Sequence, residues 1–329
     1  MRTSLLLAVI GIGMCFWNFG FAWLAVGRLL AGFAAATLMV HTTALVVRSV
    51  SAKAKSMCLG FAVSGGGIAI VIISLVLPFF IVKGPSGGWF VEAAITFLVA
   101  AVAWRFVSMA PHEREPSADS IQPLAPRRRR LVLLITAAYT LMSIAVVPHT
   151  LFLADYMHRD LGLSIRDSSS LFSILGAGCA VGAIYVGPLT RLVSTRWGLS
   201  INYMMATAAI AMVLLFDSVI VVASSAFLIG VSLFGVVALS SIRTLEIVGL
   251  SRHAHFWGGM ALGFGAGMAA GSYAMSALLS RGFHYIDLFQ IAQVTVICAL
   301  IILLFARWRY QDLENLTEKD NTQANHLTV

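Results

Sequence analysis

Apolar residues run along this chain in long unbroken stretches rather than in alternation, and polar residues collect in short breaks between them. A bilayer crossing needs about 20 consecutive apolar residues as helix. On that measure, spans are predicted at 4–19, 22–47, 57–82, 88–108 and 131–154. Five more follow at 169–188, 200–216, 219–242, 257–279 and 288–307. Backbone groups in hydrocarbon must find partners internally, which leaves helical bundles and closed barrels; continuous rather than alternating apolar runs select helices. The predicted fold class is all-α, a polytopic transmembrane bundle.

Composition sharpens this. Charged residues make up 11% of the 329 residues against about 25% in soluble domains, and the mean hydropathy is +0.91. The net charge of +8 would point to nucleic acid in a soluble chain, but here the basic residues sit in alternate loops, as the positive-inside rule requires. Of 22 Lys and Arg, Arg28 lies inside a span. With both termini cytoplasmic, Lys83, Arg159, Arg166 and Arg281 fall outside and the rest inside. Residues 109–130 carry Pro111, Pro116, Pro123 and Pro126 and end in Arg127, Arg128, Arg129 and Arg130. They are read as a cytoplasmic linker between a half bundle at 1–108 and another at 131–308, with a polar tail at 309–329. Cys15, Cys58, Cys179 and Cys298 fall within spans and read as packing residues.

The two halves resemble each other. Leu59-Gly60-Phe61, followed by Ser64, Gly65, Gly66 and Gly67, is echoed by Leu262-Gly263-Phe264, followed by Gly265, Gly267 and Gly271. Gly32 and Gly230 hold matching places one helix earlier, and Arg48 and Arg243 mark matching ends. The glycine-rich span is fifth of six after the linker but third of four before it. The expectation is therefore a six-plus-six parent with about ten of its twelve helices in this sequence. Two further helices with their loops would add roughly 60–70 residues to this 35.2 kDa chain.

Gly27-Arg28-Leu29-Leu30-Ala31-Gly32-Phe33-Ala34-Ala35-Ala36 resembles the fourth-helix signature of the major facilitator superfamily. Val147-Pro148-His149-Thr150-Leu151-Phe152-Leu153-Ala154-Asp155 and residues 60–70 resemble its bacterial YbfB-like branch. The resemblance implies a secondary carrier of the bacterial inner membrane working by alternating access. Its cavity would be lined by the spans at 22–47, 131–154 and 219–242. The family's cytoplasmic loop signature survives only as Gly187-Pro188-Leu189-Thr190-Arg191, with Arg at the place of the acid. In this family the glycine-rich helices pivot, which makes Gly32, Gly65, Gly66, Gly67, Gly187, Gly263 and Gly267 candidates for packing or gating; an antiporter would carry Gly-Pro where Ser64-Gly65 stands.

Among candidate functional residues, Arg28 comes first, because an unpaired guanidinium about 10 Å deep costs several kcal/mol and must face a cavity or a partner. No acid is expected at its depth; Glu92 and Arg105 are placed near span ends, where they can snorkel. His149, beside helix-bending Pro148, has two readings, a proton relay and a hydrogen-bonded helix tie. Tyr139, Ser143 and Thr150 form a polar stripe that either contacts solute or joins helices. Asp155 is expected to be solvated, and His41, far around its helix from Arg28, to pack. No Walker A lysine motif, His-Glu-x-x-His or Gly-x-Ser-x-Gly is present, so no enzyme centre, cofactor or metal is expected. The expected partners are a small solute together with H+, and the lipid bilayer, not nucleic acid. The competing reading is a nontransporting remnant or helix-interaction protein. The intact mass of the protein from its native cell separates the two readings: an excess of the stated size means a misplaced start and a full twelve-helix carrier, and 35.2 kDa means that the ten-helix chain is real and that loss of transport, or rescue by oligomerisation, becomes the leading reading.

Overall fold

The structure is a computed structural model that describes residues 1–17, 19–51, 54–81, 84–107 and 124–310. The described residues contain helices and no strands. In order they are α1 (Arg2–Phe16), α2 (Phe21–Ser49), α3 (Lys55–Ile81), α4 (Pro85–Val107) and α5 (Pro126–Ala145). A π-helical turn, Pro148–Phe152, leads into α6 (Leu153–Arg159). Then come α7 (Ile165–Leu192), α8 (Thr195–Leu215), α9 (Val219–Val248), α10 (Leu250–Ser280) and α11 (Tyr285–Arg309).

Each predicted span coincides with a helix, α5, the π turn and α6 together making the fifth. Nine of these segments are long and apolar enough to cross a membrane among the described residues. The exception is α1, whose 15 residues rise only about 22 Å. It ends early because Gly20, at φ +98°, turns the chain back into α2. At the other boundary, α5 begins at Pro126, where the missing N–H costs nothing. Arg127, Arg128, Arg129 and Arg130 therefore form its first turn rather than linker, and Arg128 Nη1 donates to the Ile247 carbonyl near the end of α9 at 3.3 Å. The earlier linker, with Pro111, Pro116 and Pro123, lies outside the described residues, as do Lys83, the tail from 311 and the side chain of Arg48.

The buried core belongs to the second half: α5, α8, α9 and α11 supply Tyr139, Tyr203, Val236 and Phe289, all almost inaccessible. What joins the halves is α7. Its Gly176 fits so closely that a Cβ would stand 2.8 Å from the backbone nitrogen of Val71 on α3. Farther along the same antiparallel crossing, Ala180 meets Gly67, Ala183 meets Gly60, and Gly187 meets Met57, where a Cβ would stand 3.1 Å from Cα. Arg166, at the start of α7, lies over the Phe79 ring at 5.4 Å, so the seam runs nearly the whole length of both helices. Another face of α7 presents Gly178 and Gly182 to the backbone of Phe227 and Val231 on α9, and Gly230 returns the contact. Without a hydrophobic force between helices in lipid, such close approach supplies the dispersion energy that holds them.

The glycines expected to pack or gate divide accordingly. Gly67 and Gly187 form the seam, and Gly66 lies under Phe234 of α9, where a Cβ would stand 2.9 Å from the ring. Gly263 and Gly267 pack against Thr140 and Ser143 of α5. Gly32 and Gly65 have nothing within 4 Å, which corrects the close-packing expectation for those two; they lie on faces no described helix covers. The expected outcome of Gly67→Val is a loss of at least about 1–3 kcal/mol from overpacking, whereas Gly65→Ala is neutral or stabilising by up to about 1 kcal/mol. Denaturant titration in detergent reads both.

Candidate functional site

Pro148 breaks the fifth span. It brings no N–H to the helix, so α5 closes with the Val146 N–H on the Met142 carbonyl at 3.1 Å and the chain widens into the π turn. The wide turn carries His149 into the second half, where it is fully buried. Its Nε2 lies 2.8 Å from Ser225 Oγ on α9, and Phe289 of α11 presents a ring edge at 5.0 Å between centroids. Ser225 commits its one proton to the Ala209 carbonyl of α8 at 2.6 Å. It must therefore accept from His149, which places the imidazole proton on Nε2 and leaves Nδ1 as a buried acceptor without a hydrogen-bond partner. One imidazole thus ties the fifth span to α8 and α9.

The polar stripe on α5 is covered by α10. Tyr139 is buried against Phe264 and Trp257, at 4.8 and 5.9 Å between ring centroids. Ser143 is fully buried beside Gly267 and donates to the Thr140 carbonyl of its own helix at 2.7 Å. Thr150 donates to the Val146 carbonyl at 3.0 Å and stays partly exposed. Asp155 is exposed as expected, accepting from Tyr285 Oη at 2.9 Å with Arg159 at 3.5 Å. His41 does not pack: it is exposed, with Nδ1 2.7 Å from the Thr37 carbonyl of its own helix.

Arg28 lies apart from these groups, on the first half. Contrary to expectation it has an acid at its own depth: Nη1 is 4.0 Å from Glu92 Oε2 on α4, and the guanidinium lies 5.4 Å from the Trp89 ring centroid. The reason is where α4 begins. The helix starts at Pro85, so Glu92 is as many residues from its helix start as Arg28 is from Phe21, and both lie about 10 Å along their helices. The pair is open, with 57% of the Arg28 side chain and 27% of the Glu92 side chain accessible. The structure therefore brings Tyr139, Ser143 and His149 into the second half and directs the charge of Arg28 toward α4.

Two polar residues escape a reading of the sequence alone. Asn202 of α8 is fully buried, accepts from Tyr185 Oη of α7 at 2.6 Å and donates to the Gly198 carbonyl at 2.8 Å. Ser232 of α9 donates to its backbone carbonyl. A lone amide inside an apolar span is the signal that marks it. His253 of α10 is buried, with Nε2 3.2 Å from Ser241 Oγ and its ring parallel to Trp257. No group of three or more His, Cys, Asp or Glu with metal-binding placement occurs among the described residues.

A family model described as "Uncharacterised MFS-type transporter YbfB" matches residues 1–304. No curated protein matches the sequence. Among solved structures, the major facilitator superfamily transporter FucP in its outward conformation is 12% identical, with 93% of this chain and 82% of that chain covered at a TM-score of 0.67. A second FucP structure, described as the E. coli fucose:proton symporter, gives 12% identity, the same coverage of each chain and 0.66. The human organic anion transporter MFSD10 gives 15% identity over 92% of this chain and 76% of its own, at 0.61. At these identities the likeness is one of fold.

If buried polar ties rather than solute contacts define the second half, Asn202→Ala strands the Tyr185 hydroxyl and costs about 1–3 kcal/mol. Ser143→Ala removes only a bond within one helix and costs under about 1 kcal/mol. Denaturant titrations in detergent that reverse this order refute the assignment.

Proposed function

The chain belongs to the YbfB-like family of major facilitator superfamily transporters, and from that membership we propose that it carries a small solute across a bacterial cytoplasmic membrane by alternating access, coupled to protons. Both termini face the cytoplasm in this reading, as the distribution of Lys and Arg favours. The observation that supports it most is the way the halves meet. Along α3 and α7 the contact is backbone against backbone, with Gly67, Gly176 and Gly187 removing side chains from the seam. Elsewhere α2 rests on α10 and Phe234 on Gly66. A long smooth seam on one side, with side-chain contacts elsewhere, allows two rigid halves to rock about it.

For coupling we place the weight on Arg28 and Glu92. Their 4.0 Å separation and their exposure leave the carboxylate able to exchange a proton and the guanidinium able to release it for an anion. Tyr139, Ser143 and His149 then serve the same cycle by holding the fifth span against α9 and α10, and Thr150 by bonding within the span beside its π turn. Gly66, Gly263 and Gly267 let neighbouring helices approach closely enough to move as units.

The test is the purified chain reconstituted in liposomes with a trapped pH dye and offered sugars, organic acids and amphiphilic cations under an imposed proton gradient. Solute-dependent proton entry is expected for at least one class. Arg28→Ala abolishes it, while Glu92→Gln stops proton movement and leaves solute exchange in place. Undiminished gradient-driven flux in Arg28→Ala at equal protein density refutes the site.

A further inference from the structure

The gap between Arg28 and Glu92 is set by α1, which packs on both of their helices. On one side Gly27 lies so close to it that a Cβ would stand 2.8 Å from the Gly11 carbonyl oxygen, which fixes the backbone one residue before Arg28. On the other, Phe16 meets Phe90 of α4 at 6.0 Å between ring centroids. Cys15, fully buried, donates to the Gly11 carbonyl at 3.4 Å and lies close enough to the pair to feel both charges. With α2 and α4 spaced in this way, side-chain torsions decide where the guanidinium rests. Within its reach α4 offers two partners one turn apart. The Trp89 ring centroid is 5.4 Å from the guanidinium carbon, and Glu92 Oε2 is 4.0 Å from Nη1. A charge-assisted pair normally closes to about 2.7–2.9 Å, so the guanidinium stops roughly 1 Å short of the carboxylate.

We propose that Trp89 is a positioning residue for this pair: its ring holds the Arg28 guanidinium back from Glu92 and receives it when the carboxylate takes up a proton. The inference rests on reading Arg28 and Glu92 as the coupling pair. An indole face attracts a cation through its quadrupole out to about 6 Å from the centroid, most strongly where water is scarce. Arg28 sits near that limit, so a guanidinium drawn fully onto Glu92 leaves the ring. The indole is neutral, so the balance between ring and carboxylate follows the charge on Glu92. Ionised, the carboxylate pulls the guanidinium toward itself; protonated, it lets the guanidinium pass to the ring. Arg28 thereby keeps a partner at a depth where an unpaired guanidinium is costly. The charged and titratable groups facing Glu92 are Arg28 from α2 and the Cys15 thiol from α1. Lys55 and Cys58 stand in the first turn of α3, at the end away from the start of α4, and Arg105 stands in the last turn of α4 itself.

Infrared titration of the purified full chain in detergent tests this without any solute. The protonated-carboxyl band that is lost in Glu92→Gln reports the proton on Glu92. In Trp89→Leu the guanidinium closes on the carboxylate and keeps it ionised to lower pH, so the midpoint of that band falls by about one pH unit, or roughly tenfold in proton affinity. Trp89→Phe, which keeps a weaker π face, gives a smaller fall, and Arg28→Ala raises the midpoint. A midpoint unchanged or higher in Trp89→Leu, with Arg28→Ala still raising it, overturns the role of Trp89 and leaves the coupling pair standing. An equal fall in Trp89→Leu and Trp89→Phe means lost packing rather than a lost π face and overturns it as well. A midpoint that Arg28→Ala also leaves in place overturns both the role of Trp89 and the pair.

Discussion

Close backbone contact along α7 is the constraint on which the rest of the structure depends. A helix in hydrocarbon gains little by burying another leucine, because lipid tails are as apolar as the leucine itself. What it gains from a neighbour is dispersion at short range and partners for polar groups. α7 is built for the first on two faces, with Gly176, Ala180, Ala183 and Gly187 toward α3 and Gly178 and Gly182 toward α9. The second comes from Tyr185, whose hydroxyl reaches Asn202 on α8. Through that one helix the first half is attached to the polar ties of the second.

The halves are stabilised differently. In the second, Asn202, Ser225, Ser232 and His149 link the π turn, α7, α8 and α9 by buried hydrogen bonds, and each loss leaves a neighbour stranded in an apolar setting. In the first, α1 and α2 cross at Gly11 and Gly27, where a Cβ on Gly11 would stand 2.6 Å from the Ala31 nitrogen. There the polar links include the Trp23 indole N–H on the Met14 carbonyl at 2.8 Å and the loose Arg28–Glu92 pair. Leu29 and Phe33, at 72% and 61% accessible, share a face of α2 with Gly32 that no described helix covers. The first half is thus the less constrained of the two.

Span positions and fold class are legible in the sequence because run length alone decides whether a helix crosses a bilayer, and run length is local. Pro148 announces the break in the fifth span for a similar reason: a missing N–H acts at its own position. The partners of Arg28 and His149 are not legible. A helical wheel ranks directions around one helix without saying which neighbour occupies each, so the stripe of Tyr139 and Ser143 looks open in sequence although α10 covers it. Glu92 is misplaced through a boundary: moving the start of α4 back to Pro85 puts its carboxylate three residues, about 4.5 Å, deeper. Glycines carry half a message, since Gly65 and Gly67 read alike in sequence yet only Gly67 meets a neighbour.

Satisfaction of polar groups also bears on where function resides. A hydroxyl bonded to its own helix, as in Ser143 and Thr150, or an imidazole tied into a relay ending on a carbonyl, as in His149, has its donor committed. Engaging a solute there would first break a bond in a medium that offers no replacement. Arg28 and Glu92 are under no such obligation: their charges attract at a separation too long for a tight ion pair, and both remain accessible. A group that must alternate between partners during a cycle has to be held weakly in each state, because a ligand shifts an equilibrium only by its differential affinity for the two conformations. By that criterion the loosely held pair, rather than the well-packed polar stripe, is suited to respond to a proton or a solute.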